Sequence, residues 1–388
     1  MGRAKEEMME AEERGWNRPN GFVCPDCVED EFLKEIIREN ACVIKCDYCG
    51  GRTCKYSAAP VSEIMEPIAN AVFYYFNDPI NSMIPFDHEE DSYLLDTTDT
   101  RDVLEQLSLD CNEQLFEEIV EAFIHNEWVE AAGGVWSGSH PHEIMSFMWD
   151  RFADIVKHEI RYFFGNSKEE LNDEEYTPSN LLPTIGNLVL RHNLISVLPK
   201  DSLLFRARPR QIGENWHLNE DELGAPPPEK ASSGRMNPAG ISYLYLAYTQ
   251  ETSLAEIEND STQQAAIGKF EVSKDLHILD LSKLPALPSM FDDYSREERE
   301  ELIFLEKFVS EIKKPVNKNG NEHIEYVPSQ IVSEYFALIF QANGKKIDGI
   351  LYPSAVHKGG KNLVLFPNER GNSPRFDQVK LIDAWIYS

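Results

Sequence analysis

The sequence predicts an α+β chain, with a mixed β domain at the C-terminus preceded by a cysteine knuckle and a mostly helical domain. Three observations carry this. Six of the 7 cysteines crowd into residues 24–54. The stretch that follows places apolar residues three and four apart, the period of a helix with one buried face. From about residue 196, short β-like runs separated by glycine, proline and asparagine take over, with helical segments between them. The expected domains are 1–57 (N-terminal helix and knuckle), 58–195 (helical) and 196–388 (mixed β).

A chain of 388 residues with 42% hydrophobic and 11% aromatic side chains can bury a core in two or three domains. Its net charge of -30 favours solubility. The same charge opposes general attraction to nucleic acid or anionic membranes, while leaving room for a local basic pocket. The opening MGRAKEEMMEAEERGW reads as a charged helix and lacks the apolar centre of a signal peptide. No run approaches the roughly 18 apolar residues of a membrane span. A cytoplasmic protein without membrane or nucleic-acid partners is expected.

In the first zone, Cys24 and Cys27 form one CxxC pair and Cys46 and Cys49 another, with eighteen residues between them. Two such pairs bend around one ion to complete a tetrahedral zinc–thiolate site. Four thiolates leave no open position for a substrate, so the expected Zn2+ is structural. Gly50 and Gly51 suit a tight knuckle turn, and Cys42 and Cys54 are spare thiols.

The helical zone is carried by SEIMEPIANAVFYYF, LEQLSLDCNEQLFEEIVEAFI and HEIMSFMWDRFADIVKHEIRYFF. Arg151 and His158 are seven apart, which puts them on one helix face. The pair resembles the arginine–histidine motif of HEPN ribonucleases, although such pairs recur by chance in charged helices. His140 and His142 in SGSHPHE offer two metal ligands without a third. Residues 166–180, NSKEELNDEEYTPSN, read as a polar surface loop or linker.

In the third zone SLLFRAR, ISYLYLAY, LHILDL, GILYPSA and NLVLF read as strands. Helical patterns intervene at SLAEIE, EERELIFLEKFVSEI and QIVSEYFALIFQ. The stretch GRMNPAGISYLYLAYTQETSLAE, residues 234–256, sets Arg235, Tyr245 and Glu256 in order. Those residue types meet the needs of nicotinamide–ribose cleavage in NAD. A carboxylate steadies the cationic ribose, arginines hold the pyrophosphate, and an aromatic wall takes the ring. Taken singly, each has a plainer reading. Glu256 follows Ser253 by three and suits a capping box, although Thr249 is the better N-cap. Tyr245 suits a core strand, and Arg235 a surface turn.

Several ordered motifs agree beyond this stretch: FRAR, GRMNPAG, YLYLA followed by SLAE, YVPSQIVSEYF, and DGILYPSA with NLVLF. Together they resemble the RES domain, a family of NAD-consuming bacterial toxins with an ADP-ribosyltransferase-like fold, over about residues 200–388. The N-terminal region also resembles a domain found ahead of RES or HEPN domains. The resemblance implies that Arg206 and Arg235 contact the NAD phosphates or ribose and that Tyr245 stacks on nicotinamide. Tyr243 is a rival, since two residues along a strand share a face. Glu256 is implied as the catalytic carboxylate, with Ser354 and Asn362 hydrogen-bonding the substrate. Arg208 and Arg210 have no clear counterpart, and Gln330 caps or packs. The implied activity is NAD glycohydrolysis or phosphorolysis in a toxin–antitoxin or phage-defence setting, with an antitoxin or sensor partner and a homo-oligomeric state. The other classes are a protein ADP-ribosyltransferase, which Glu258 is poorly placed to support, and a zinc-bearing interaction protein or HEPN-like ribonuclease.

Overall fold

In a computed structural model, the chain is described over residues 3–49, 57–87, 92–162, 180–213, 217–257, 263–314, 320–368 and 376–387. Gly50, Gly51, Cys54, Glu258 and all of the 166–180 linker except Asn180 lie outside them. The chain divides into two compact units, Met1–Glu143 with Ala286–Glu301, and Ile144–Pro285 with Leu302–Ser388. That division differs from the three zones drawn from the sequence.

In order along the first unit come α1 (Arg3–Arg14), β1 (Phe22–Val23), α2 (Glu31–Glu39), β2 (Ala59–Pro60), α3 (Ser62–Tyr75), β3 (Phe76–Asn77), β4 (Phe86–Asp87), β5 (Ser92–Tyr93), β6 (Thr98–Asp99), α4 (Thr100–Gln106), α5 (Glu113–Ala122) and β7 (Glu127–Glu130). Side-chain caps set the helix starts. Asp30 accepts from Leu33 N–H at 3.0 Å, Asp99 from Asp102 N–H at 2.9 Å, and Asn112 from Gln114 N–H at 3.0 Å. Strands β1 and β2 pair antiparallel, and the Asp47 carboxylate accepts from Phe22 N–H at 2.9 Å. These contacts tie the two cysteine knuckles together. Cys24, Cys27 and Cys46 share a core with Leu33, Ile37, Ile64, Ile68, Ile119 and Trp128. The knuckle and the helices behind it therefore form a single packed body.

The chain continues through α6 (Pro141–Asp154), which starts in the first unit, then α7 (Leu181–Arg191), β8 (Ile195–Leu198), β9 (Leu203–Gln211), α8 (Glu220–Leu223), β10 (Leu244–Ala247), α9 (Gln250–Ala255), β11 (Gln263–Val272) and β12 (Leu276–Asp280). It closes with α10 (Arg296–Lys313), α11 (Glu322–Glu325), α12 (Val327–Leu338), β13 (Gly349–Pro353), β14 (Lys361–Leu365) and β15 (Val379–Tyr387). The strands of the second unit build an 8-stranded sheet in the order β15-β11-β9-β10-β14-β13-β12-β8. All its pairs are antiparallel except β12 with β13, whose parallel pairing requires a long crossover.

Alternation assigns the two faces of this sheet. Leu204, Leu244, Leu246, Leu351, Leu363 and Leu365 pack together on one. The other face carries a row in which Ala247 pairs with both Phe205 and Asn362, and Asn362 pairs with Tyr352. That row is the floor of the cleft described below.

Candidate functional site

A cleft of about 300 Å³ opens over this row, lined by Phe205, Arg206, Arg235, Tyr245, Ser253, Glu256, Tyr326, Tyr352 and Asn362 among others. Five of the residues singled out from the sequence therefore meet here: Arg206, Arg235, Tyr245, Glu256 and Asn362. Ser354, the sixth, stands behind Glu256. The Glu256 Oε1 accepts a hydrogen bond from Ser354 Oγ at 2.6 Å and another from Asn362 Nδ2 at 2.5 Å.

Local structure explains the convergence. Helix α9 starts at Thr249, whose Oγ1 accepts from Thr252 N–H at 3.1 Å, and is only 6 residues long. Glu256 was expected within the helix. It is instead the C-cap, one residue past the end, with its side chain exposed toward the cleft. Ser354 follows β13 directly, and its Oγ accepts from His357 N–H at 3.0 Å while donating to Glu256. His357 Nδ1 lies 2.8 Å from Thr252 Oγ1, which fastens that loop to α9.

Arg235 sits in a knitted turn. Asn237 Nδ2 donates to the carbonyls of Ser232 at 2.9 Å and Ile241 at 2.8 Å. Gln330 Nε2 lies within 3.0 Å of Ser233 Oγ and of the Gly234 and Asn237 carbonyls, and Ser329 Oγ donates to the Arg235 carbonyl at 2.6 Å. The Arg235 guanidinium donates to the carbonyls of Ile312 at 2.8 Å and Lys314 at 2.6 Å, and lies 5.7 Å from the centre of the Tyr326 ring. Tyr245 completes the turn: Met236 N–H donates to its oxygen at 2.9 Å, and its hydroxyl donates to Asn237 Oδ1 at 2.7 Å. A Cβ on Gly234 would come within 2.8 Å of that oxygen, so glycine is required there.

Burial shapes the charges. Burial first, and the neighbouring Arg208 guanidinium second, bring Arg206 down to about 10, which leaves it cationic at neutral pH. Its Nη1 donates to the Gly224 carbonyl at 2.7 Å. Burial pushes the Tyr245 phenol well up, so it stays neutral. Tyr352 is pushed up too, by burial and by the Glu256 carboxylate, against the opposing pull of Arg235.

Tyr243 does not share the face of Tyr245. Strand β10 begins at Leu244, so Tyr243 lies in the irregular run before the ladder, where strand alternation does not apply. Its ring packs 5.1 Å from Phe366 and lines a separate cavity of about 770 Å³. Arg208 and Arg210 are not among the residues lining the cleft, and Arg208 donates to the Glu222 carbonyl. The Arg151–His158 spacing does not keep one face either. Helix α6 gives way to a π turn at Ile155–Glu159, where Arg151 pairs with Glu159 at 2.8 Å and Asp154 at 3.2 Å. Sequence reading missed Tyr326 and Tyr352. Both stood inside quoted motifs.

In the first unit the four thiols of Cys24, Cys27, Cys46 and Cys49 lie within 4.8 Å of one another. The Sγ separations are 3.8 Å for Cys24–Cys27, 3.5 Å for Cys24–Cys49 and 3.6 Å for Cys27–Cys46. A tetrahedral ion with bonds of about 2.3 Å places its sulfurs about 3.8 Å apart, so the donor set fits a metal such as zinc. Burial, with Cys49 beside it, pushes Cys24 up to about 11. At Cys46 burial acts upward as well, but hydrogen bonds from the backbone around Cys49 and Tyr48 outweigh it and bring that thiol down to about 7.

The RES domain family model matches residues 203–385, and the model of HEPN/RES N-terminal domain 1 matches residues 39–170. The chain thus carries a RES domain with a HEPN/RES N-terminal domain ahead of it. That ties it to an NAD-related, toxin-like family in general and points to an enzyme acting on NAD. A comparison with curated proteins gives no match. Among the described residues, no helix is long and apolar enough to cross a membrane.

Proposed function

We propose that the chain cleaves the nicotinamide–ribose bond of NAD, as a glycohydrolase or a phosphorylase, and acts as a bacterial toxin in a toxin–antitoxin or phage-defence setting. The observation that carries this reading is Glu256, held in the cleft through a single oxygen by Ser354 and Asn362. Both donors are neutral, and both bonds fall on Oε1, leaving Oε2 to face substrate. As the bond from C1′ to the ring nitrogen breaks, its electron pair goes to nicotinamide, which leaves neutral. Positive charge then builds on the ribose, and a carboxylate beside it is the matching stabiliser. Water or inorganic phosphate then bonds to C1′ and releases a proton. Arg235 and Arg206 suit the anionic pyrophosphate, and Tyr326 and Tyr245 are aromatic walls for the ring.

In the N-terminal unit, the cysteine set suits a structural zinc. No specific observation favours protein ADP-ribosylation. The two ion pairs of Arg151 and the exposed His158 give a ribonuclease no support. The test is incubation of the purified chain with NAD, with and without phosphate, followed by chromatography of the products. Glu256→Gln keeps the hydrogen-bond acceptor and removes the charge, and is expected to lower the rate at least ~100-fold. NAD left intact by the unsubstituted full-length chain, with and without phosphate, would sink the proposal.

A further inference from the structure

Tyr352 has no role in the chemistry just described, yet it lies on the cleft floor. Its register partner across β13 and β14 is Asn362, the residue that holds Glu256. Directly paired side chains on one sheet face stand about 5 Å apart. Arg235 and Glu256 line the same cleft as Tyr352, and both act on its phenol electrostatically. The side chain is only 6% exposed and lines the cleft. Among the described residues no hydrogen bond engages its hydroxyl. A tyrosine this buried normally finds a partner for its O–H. Tyr245 does so, through Met236 and Asn237. The Tyr352 hydroxyl is not a buried orphan, so with no partner among the described residues it is placed to meet a ligand in the cleft it lines.

Resting on the reading of Glu256 and Arg235 given above, we propose that Tyr352 is a substrate-contacting residue that donates its hydroxyl proton to the ribosyl phosphate of the nicotinamide half of the dinucleotide. Glu256 suits the ribose and Arg235 the phosphate, and Tyr352 lines the cleft with both and pairs in register with the residue that holds Glu256, so its hydroxyl suits the phosphate borne by that ribose. Burial favours the neutral phenol, which keeps it a donor. The size of the cleft agrees. About 300 Å³ lies at the bottom of the range for small-molecule sites, room for half of a dinucleotide rather than the whole.

The experiment compares the full-length chain with Tyr352→Phe, which removes one oxygen and keeps the ring. Calorimetric binding of NAD and of nicotinamide mononucleotide is measured on both, together with NAD cleavage and the unfolding midpoint. The expected result is binding of both ligands weakened about ten-fold, with the midpoint unchanged. Equal affinities for the two proteins overturn the proposal. So does a loss seen with NAD but absent with the mononucleotide, because that puts the contact on the adenylate half. If the unsubstituted chain binds NAD and leaves it intact while Tyr352→Phe still weakens binding, the cleavage reading fails and this inference stands. Absence of any NAD binding overturns both.

Discussion

Gln330 offers the sharpest test of how the cleft is held. Its side-chain nitrogen faces three acceptors, Ser233 Oγ at 3.0 Å, the Gly234 carbonyl at 2.8 Å and the Asn237 carbonyl at 3.0 Å. An amide carries two protons, so one of them is shared. Replacing Gln330 by leucine removes about two hydrogen bonds and leaves the Gly234 carbonyl without its donor, while the Asn237 carbonyl keeps Gly234 N–H, a loss of about 2–4 kcal/mol. At a few degrees per kcal/mol for a unit of this size, the midpoint of unfolding of the RES unit drops by roughly 4–16 °C. Arg235 rides on the same turn, so KM for NAD rises as well. Gln330→Glu is the stricter perturbation, since at neutral pH a carboxylate sets acceptor against acceptor. It is expected to be less stable than Gln330→Leu at neutral pH and to recover on acidification, when its protonated form regains one donor. Thermal unfolding across pH together with NAD-cleavage kinetics reads both effects. A leucine variant with unchanged midpoint and unchanged KM, or a glutamate variant as stable as leucine at neutral pH, would refute the reasoning.

Three further outcomes are expected. Ser354→Ala removes a hydroxyl donating to Glu256 at 2.6 Å, a bond to a charged group, and lowers kcat/KM for NAD cleavage about 10–100-fold, with Ser354→Thr restoring part of it. An unchanged alanine variant would show that Asn362 suffices. Cys46→Ser abolishes metal binding, measured by elemental analysis of the purified chain, and loosens the core that Cys24, Cys27 and Cys46 share with Leu33 and Ile64. A metal-free unsubstituted chain with a fully cooperative N-terminal unit would contradict this. Glu300 is 1% exposed, and its Oε2 lies 2.5 Å from His142 Nδ1. Burial raises its carboxyl, but the bond and charge of His142, with help from His140, outweigh burial and hold it below the usual range. A lowered folded value means that the pair stabilises fully above the unfolded value of about 4.3 and that this contribution fades as pH falls below it. Glu300→Gln therefore weakens a hydrogen bond to a charged group, a cost of about 1.5–3 kcal/mol above that value and less in acid. Parallel stability curves for the two proteins over that range would show that the pair carries no such linkage.

The parts legible in the sequence were those governed by local spacing. Two CxxC pairs announced a four-thiol cluster because each pair bends around one point whatever the fold. Thr249 was readable as a cap because capping involves only the next three residues. Strand β11 was not recognised, because QQAAIGKFEV is rich in small residues and lacks the β-branched, alternating signature of a strand. Those small residues have a reason: a Cβ on Gly268 would meet Phe270 and Leu381 at 2.9 and 3.0 Å. Tyr243 was misplaced because alternation holds only inside a ladder, and the ladder starts one residue later. Tyr352 was overlooked because its importance comes from its register partner Asn362, and nothing local in the sequence signals cross-strand register.

The charges of the cleft stay apart for a structural reason. Among the described residues Glu256 makes no ion pair, and its hydrogen bonds come from the neutral donors Ser354 and Asn362. The arginines use backbone carbonyls instead, Arg206 that of Gly224 and Arg235 those of Ile312 and Lys314. A salt bridge across the cleft would have cancelled both charges before any substrate arrived. Neutral partners on each side leave a full negative charge for a developing ribose cation and full positive charges for a pyrophosphate. The same logic accounts for the loop behind Glu256. Thr252 meets His357 at 2.8 Å, and a Cβ on Gly360 would intrude to 2.7 Å of Thr252 Oγ1 and 2.8 Å of His357 Nδ1. Helix α9 and the 354–360 loop thus close on each other only with glycine there, and the carboxylate is positioned by packing rather than by an opposite charge.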